Sequence, residues 1–181
     1  KTDETDLTAQ LTKIRAAQPE VLVVWGTNPG PALAAKNMKQ LGMQIPLLQS
    51  SGVANTRFLE IAGDAANGVI MPAAKLIVAD QLPDSDRQKP VLLQFASEFQ
   101  AKYGRPADHY GGHAWDAIKI VCAALERSGP DRAKLRDEIE KTTDFVGMGG
   151  IYNYSPEDHY GLTVDAFALV RIENGQWKLI E

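Results

Sequence analysis

Two short polar stretches carry most of the side chains in this 181-residue sequence that are suited to holding a small molecule. The first, Gly26-Thr27-Asn28-Pro29-Gly30, sets a hydroxyl and an amide among small residues. The second, Gln49-Ser50-Ser51-Gly52-Val53-Ala54-Asn55, clusters two hydroxyls and an amide. Such neutral groups hydrogen-bond a ligand from either direction. Neither Ser50 nor Ser51 has a His or Asp at a spacing that marks an activated nucleophile. The same residues also suit plain turn and capping chemistry, and Asn55 is placed to cap a helix on either reading.

Other chemistries find less support. His109 and His113 have the four-residue spacing of a helical metal pair, but Gly111-Gly112 between them argues against helix there. His159 is far away in sequence, and the single Cys122 cannot form an internal disulfide. No metal and no cofactor are expected. Tyr110 and His113, standing ahead of a helix, join Gly26, Thr27, Asn28, Ser50, Ser51 and Gly52 as ligand-binding candidates. Gly147-Met148-Gly149-Gly150 is glycine-rich but precedes an expected strand, so it is not a phosphate cradle. The nucleotide and hydrolase signatures G-x-G-x-x-G, G-x-x-x-x-G-K-S/T and G-x-S-x-G are absent. Asp84 and Asp86 fall in a polar segment and are expected to be solvated. The reading is a binding protein and not an enzyme.

The elements that must position these residues follow from periodicity. Leu7, Leu11 and Ile14 recur at helical spacing, so a helix is expected over about 6–17 with Asp6 as its cap. Val21 to Trp25 is a continuous apolar run of the kind that forms a strand covered on both faces. The first polar stretch follows it, and Pro31 is placed in the opening turn of a helix bearing Ala34, Met38 and Leu41. A second strand, 45–49, leads into the second polar stretch, a short helix to about Ala62 and a third strand, 68–71. Alternation of strand and helix predicts an α/β fold with an open, mostly parallel sheet and flanking helices. Pro72 to Pro90 is irregular. Three helices without intervening strands come next, marked by Leu92, Phe95 and Phe99; by Ala114, Ile118, Val121 and Leu125; and by Leu135 and Ile139. Cys122 is expected to be a small buried hydrophobe on the second of them. Val164 to Ile172 and Trp177 to Ile180, joined by Asn174-Gly175, predict a C-terminal β-hairpin. No sheet in the chain is evidently available to cover the three helices, so the lobe reads as incomplete.

Composition narrows the partners. Forty-four per cent apolar and 23% charged residues are ordinary for a globular chain, and the formal charge is −4. There is no basic stripe and no nucleic acid is expected. The chain opens with the polar run Lys1-Thr2-Asp3-Glu4-Thr5-Asp6, without the apolar centre of a signal peptide; a processed extracytoplasmic protein would look the same.

The ordered set of residues resembles a known family. Asp6-Leu7-Thr8, Val21 to Gly26, Gln40-Leu41-Gly42, Gly52-Val53-Ala54-Asn55, Ile61 to Gly68, Phe99 to Gly104, His113 to Ala117 and Ala124 to Gly129 are similar, in order, to the second half of type I periplasmic solute-binding proteins of the Leu/Ile/Val group. The resemblance implies a two-lobed protein that closes on a small molecule and delivers it to the permease subunits of an ABC transporter in the membrane. It implies that 1–74 belong to the second lobe, 75–90 to a hinge or crossover, 91–162 to helices of the first lobe with a return segment, and 163–181 to strands of the second lobe. It implies a periplasmic or membrane-tethered location. In amino-acid-binding members an acidic residue of the second loop pairs with the ligand's ammonium, and the alignment places Ser51 there. A buried ammonium would be left uncompensated, so an organic or aromatic acid is expected in preference to an amino acid. The alternative from another class is a ligand-sensing domain of a receptor or regulator with the same fold. An isolated chain of this length is expected to cover its apolar helices by self-association.

Overall fold

The computed structural model describes residues 4–180; Lys1, Thr2 and Asp3 of the polar opening, and Glu181 at the end of 163–181, lie outside them. In chain order the helices are α1 (Thr8–Ala16), α2 (Gly30–Gln40), α3 (Thr56–Ala62), α4 (Lys89–Tyr103), α5 (His109–Ser128) and α6 (Arg132–Glu140). The strands are β1 (Leu22–Val24), β2 (Leu47–Gln49), β3 (Ile70–Ala74), β4 (Phe145–Val146), β5 (Ile151–Tyr152), β6 (Phe167–Glu173) and β7 (Gln176–Leu179). The chain forms two compact units. One runs to Ala73 and resumes at Ala168, and the other spans Ala74–Phe167.

The first unit is built on a five-stranded sheet in the order β1-β2-β3-β6-β7. β1 pairs with β2 in parallel, Leu22 opposite Leu47, and β2 pairs with β3 in parallel. α1 starts at Thr8, two residues later than expected, and the Asp6 carboxylate accepts the Thr8 N–H at 2.8 Å. Pro31 sits in the first turn of α2, where its missing N–H is no loss. Below it α2 buries Ala32, Ala34, Ala35 and Met38. Asn55 caps α3 by accepting the Phe58 N–H at 3.2 Å, and Phe58 is fully buried. β6 and β7 are an antiparallel hairpin turned through Asn174 and Gly175, with φ of 51° and 73°. Two positive φ values at the turn give the twist a two-residue hairpin needs, which is why the Asn-Gly pair is there. Val164–Ala166 is a 3₁₀ turn, so the strand begins at Phe167 and not at Val164.

One expectation for this unit is corrected. The run 21–25 was expected to be covered on both faces, yet Val23 is 58% exposed and Trp25 83% exposed. β1 is an edge strand in the sheet order. An unbroken apolar run reports low polarity along a strand, not how many neighbours it has.

The second unit holds the helices. α4 buries Leu92 and Phe95, and Gly104, with φ of 66°, ends it in the left-handed conformation that glycine adopts freely. α5 corrects the sequence reading twice. It begins at His109, so Tyr110, Gly111, Gly112 and His113 are helical and do not precede the helix. The Asp108 carboxylate accepts the Gly111 N–H at 2.8 Å and pins that start. A Cβ on Gly112 would stand 2.9 Å from the Met148 Cβ, so this glycine serves close packing within a helix. The buried face of α5 is Gly112, Asp116, Ile120 and Ala124. The expected stripe points outward: Ala114, Ile118, Val121 and Leu125 are exposed, Ile118 at 64%, and Cys122 is exposed rather than buried.

The carboxylate of Asp116, 1% exposed, accepts N–H groups from Met148 and Gly149, each at 2.7 Å, and the Tyr152 hydroxyl at 3.1 Å. It thereby holds the turn of a β4–β5 hairpin, of which the sequence reading expected only the strand after the glycines. Burial pushes the Asp116 carboxyl up, and the Gly149 and Met148 N–H groups and the Tyr152 hydroxyl pull against that.

Asp86 is also corrected. Its side chain is largely buried and meets the Lys75 ammonium at 2.8 Å, whereas Asp84 is solvent-exposed and reaches Lys89 at 2.7 Å. Burial raises the Asp86 carboxyl, but the Lys75 hydrogen bond, the Gln88 N–H and the Lys75 charge outweigh it and hold the group below the ordinary 3.8. A carboxyl held low in the folded state stabilises it fully above the unfolded-state value and ceases to do so as pH falls through the folded one. The full-length protein should therefore lose stability on acidification below about pH 4, and Asp86→Asn should flatten that slope in thermal melts. An unchanged slope in the variant would show that Asp86 does not carry it.

Candidate functional site

The two polar loops leave the carboxyl ends of adjacent parallel strands, the edge where α/β sheets hold ligands. The structure brings them into contact. The Ser50 hydroxyl donates to the Gly26 carbonyl at 2.9 Å, and Ser50 is buried. The Asn28 amide donates to Asn55 Oδ1 at 3.4 Å, and Asn55 in turn reaches the Gly52 carbonyl at 3.5 Å. Gln49, buried at the end of β2, donates to the Pro31 carbonyl at 3.1 Å and so ties β2 to the first turn of α2. Thr27 is exposed and Ser51 half-buried on the crest these bonds create.

The glycines keep that crest low. A Cβ on Gly52 would meet the Gly26 carbonyl at an ordinary 3.8 Å, and one on Gly30 would meet nothing within 4 Å. Neither position demands glycine for its backbone, so what the small residues provide there is open surface. The crest is also free of carboxylates, since no Asp or Glu occurs from 21 to 59. Its polar surplus is of acceptors. Asn28 Oδ1 and Gln49 Oε1 are buried side-chain oxygens without a hydrogen-bond partner among the described residues. A buried acceptor left so costs about 1–3 kcal/mol.

The remaining candidates, Tyr110 and His113, lie in the second unit on the first turns of α5. The Tyr110 ring is 61% exposed and rests 3.9 Å from that of His109. His109 and His113 are 6.2 Å apart between ring centroids, and burial followed by the His113 charge lowers the His109 pKa. Among the described residues no three His, Cys, Asp or Glu side chains group as metal ligands would. No described helix is long and apolar enough to cross a membrane.

A family model described as periplasmic binding protein matches residues 1–176. The chain belongs to the periplasmic binding protein family. Among relatives of this family, the Leu/Ile/Val-binding protein BraC3 of Rhizobium johnstonii is 27% identical over 173 residues, covering 94% of this chain and 44% of its own length. Of the solved structures, an extracellular ligand-binding receptor from Rhodopseudomonas palustris superposes with a TM-score of 0.86 at 26% identity, covering 98% of this chain and 52% of that one. A leucine-binding protein from Thermotoga maritima gives a TM-score of 0.82 at 26% identity, covering 99% and 49%. The chain thus spans about half the length of these periplasmic binding proteins. The mostly parallel α/β sheet with flanking helices is the fold they share.

Sequence reasoning named both loops, with Asn28 among its candidates and Gln49 at the start of the second, but not the part the two amides play in the crest. Gln49 and Asn28 matter through one orphaned oxygen each, and no spacing in the sequence announces an orphaned atom. The signal available was coarser: amides next to strand ends in a segment without acids.

Proposed function

We propose that the chain is part of an extracytoplasmic solute-binding protein that hands a small organic molecule to an ABC permease, and that the crest of Gly26, Thr27, Asn28, Ser50, Ser51 and Gly52 contacts that molecule. The observation that carries the reading is the convergence of two neutral loops on the carboxyl edge of the sheet, tied together by Ser50 and Gly26. The same crest favours an organic or aromatic acid over an amino acid. An ammonium placed there would find no carboxylate on either loop, because none occurs between Glu20 and Glu60. A carboxylate instead would meet the N-terminal end of α2, whose dipole favours negative charge, although Pro29 and Pro31 leave it few backbone N–H groups. Relatives named for branched-chain amino acids match this chain at 24–27% identity, which leaves the loops free to differ.

Calorimetry on the full-length protein tests this. Benzoate or an aliphatic monocarboxylate should bind at least about tenfold more tightly than leucine or valine, a difference of about 1.4 kcal/mol. Tight leucine binding with no response to the acids would remove the proposal.

A further inference from the structure

We propose that Asn174 is a site of spontaneous deamidation in this protein, and that the side chain of Asn67 sets its rate. The sequence holds six asparagines, and after two of them, Asn67 and Asn174, the next residue is glycine. That neighbour matters because asparagine loses its amide by ring closure. The backbone nitrogen of the following residue gives up its proton and attacks Asn Cγ. The new C–N bond closes a succinimide ring, and the Cγ–Nδ2 bond breaks to release ammonia. Water then opens the ring at either carbonyl, giving aspartate or isoaspartate, with nothing oxidised or reduced. Glycine has no Cβ to obstruct the attack, and its backbone turns freely. The nitrogen must shed its proton and swing onto Cγ, so whatever holds that N–H restrains the reaction.

Both Asn-Gly pairs lie in the first unit and both are exposed, yet the structure holds them unequally. The Gly68 N–H donates to the Ile172 carbonyl at 2.8 Å, and the Ile172 N–H donates to the Val69 carbonyl at 3.0 Å. Freeing Gly68 therefore means parting the sheet where β3 and β6 are neighbours. Gly175 stands instead at the tip of the β6–β7 hairpin, past the last paired residues Glu173 and Gln176, and β7 is an edge strand. Among the described residues its N–H has a single acceptor, Asn67 Oδ1, at 3.3 Å and 108 residues away in sequence. A bond so long and so exposed is weak and opens readily. Asn174 is thus the asparagine whose glycine comes free, and the Asn67 side chain is what delays it. Isoaspartate would also lengthen the backbone inside a turn that needs both its residues at positive φ, 51° and 73°, and so loosen β7.

Peptide mapping of the full-length protein, aged in mildly alkaline buffer, reads each asparagine separately by the mass gained when an amide becomes an acid. Asn174 should convert first of the six, in both aspartate and isoaspartate forms. Asn67→Ala should speed that conversion about two- to tenfold, the reach of one exposed hydrogen bond, while leaving the melting temperature of the fresh protein unchanged. Asn67→Asp keeps an acceptor for the Gly175 N–H and should hold the rate near the native one. Conversion of another of the six ahead of Asn174 overturns the proposal. So does an Asn174 rate that Asn67→Ala leaves unchanged, or that Asn67→Asp raises as much. Should Asn67→Ala not fold, the native order and Asn67→Asp decide.

Discussion

Replacing Asp116 with alanine should destabilise the full-length protein by about 3–5 kcal/mol. The carboxylate accepts from three donors at once: the Met148 and Gly149 N–H groups and the Tyr152 hydroxyl. Alanine leaves all three buried without an acceptor. Burial, with the Asp116 charge behind it, pushes the Tyr152 hydroxyl far up, so it remains a donor throughout the physiological range. The turn around the carboxylate is built to the limit of its space. A Cβ on Gly147 would stand 2.6 Å from Asp116 Oδ1, and one on Gly149 would collide with the Tyr152 hydroxyl. Gly147→Ala should therefore weaken the same hairpin without removing the acceptor. Denaturant titration gives the measurement, and an unchanged slope with a lower midpoint would mark a loss of stability rather than of cooperativity. A midpoint within error of the native value for Asp116→Ala would show that the hairpin does not depend on this residue.

Thr27→Trp and Ser51→Trp should each abolish ligand binding, weakening it at least about a hundredfold, or about 2.7 kcal/mol, while leaving the melting temperature nearly unchanged. Thr27 is exposed and Ser51 half-buried, and neither side chain is used to hold the loops together. That task falls to Ser50, Asn55 and Gln49. A bulky ring on the crest fills the surface that the small residues leave open and disturbs little beneath it. The contrast is with Ser50→Ala, which removes the bond to the Gly26 carbonyl and should lower stability as well as binding. If both tryptophan variants bound ligand normally, the proposed site would lie elsewhere on the protein.

The sequence by itself determined the local structure and, through it, the family. Alternating strands and helices, the Asn55 cap, Pro31 at a helix start, Gly104 at a helix end and the Asn174-Gly175 hairpin are each set by chemistry within a few residues. Such short-range preferences survive whatever packs around them. The two candidate loops were legible for the same reason, since each directly follows a strand that its own composition announces. Tertiary structure decided the rest. Two glycines inside α5 looked like helix breakers until Phe99 and Met148 were seen packed against them. The apolar stripe Ala114, Ile118, Val121 and Leu125 was real, but the face the unit covers is the one bearing Asp116. A carboxylate is assigned to solvent by any rule that reads polarity alone. It is buried here because three donors, from a turn 32 to 36 residues away, converge on it. Likewise Ser50 and Gly26, 24 residues apart, meet only because β1 and β2 are neighbours in the sheet. Hydrogen-bond partners and solvent exposure are properties of what surrounds a residue in space, and spacing along the chain does not contain them.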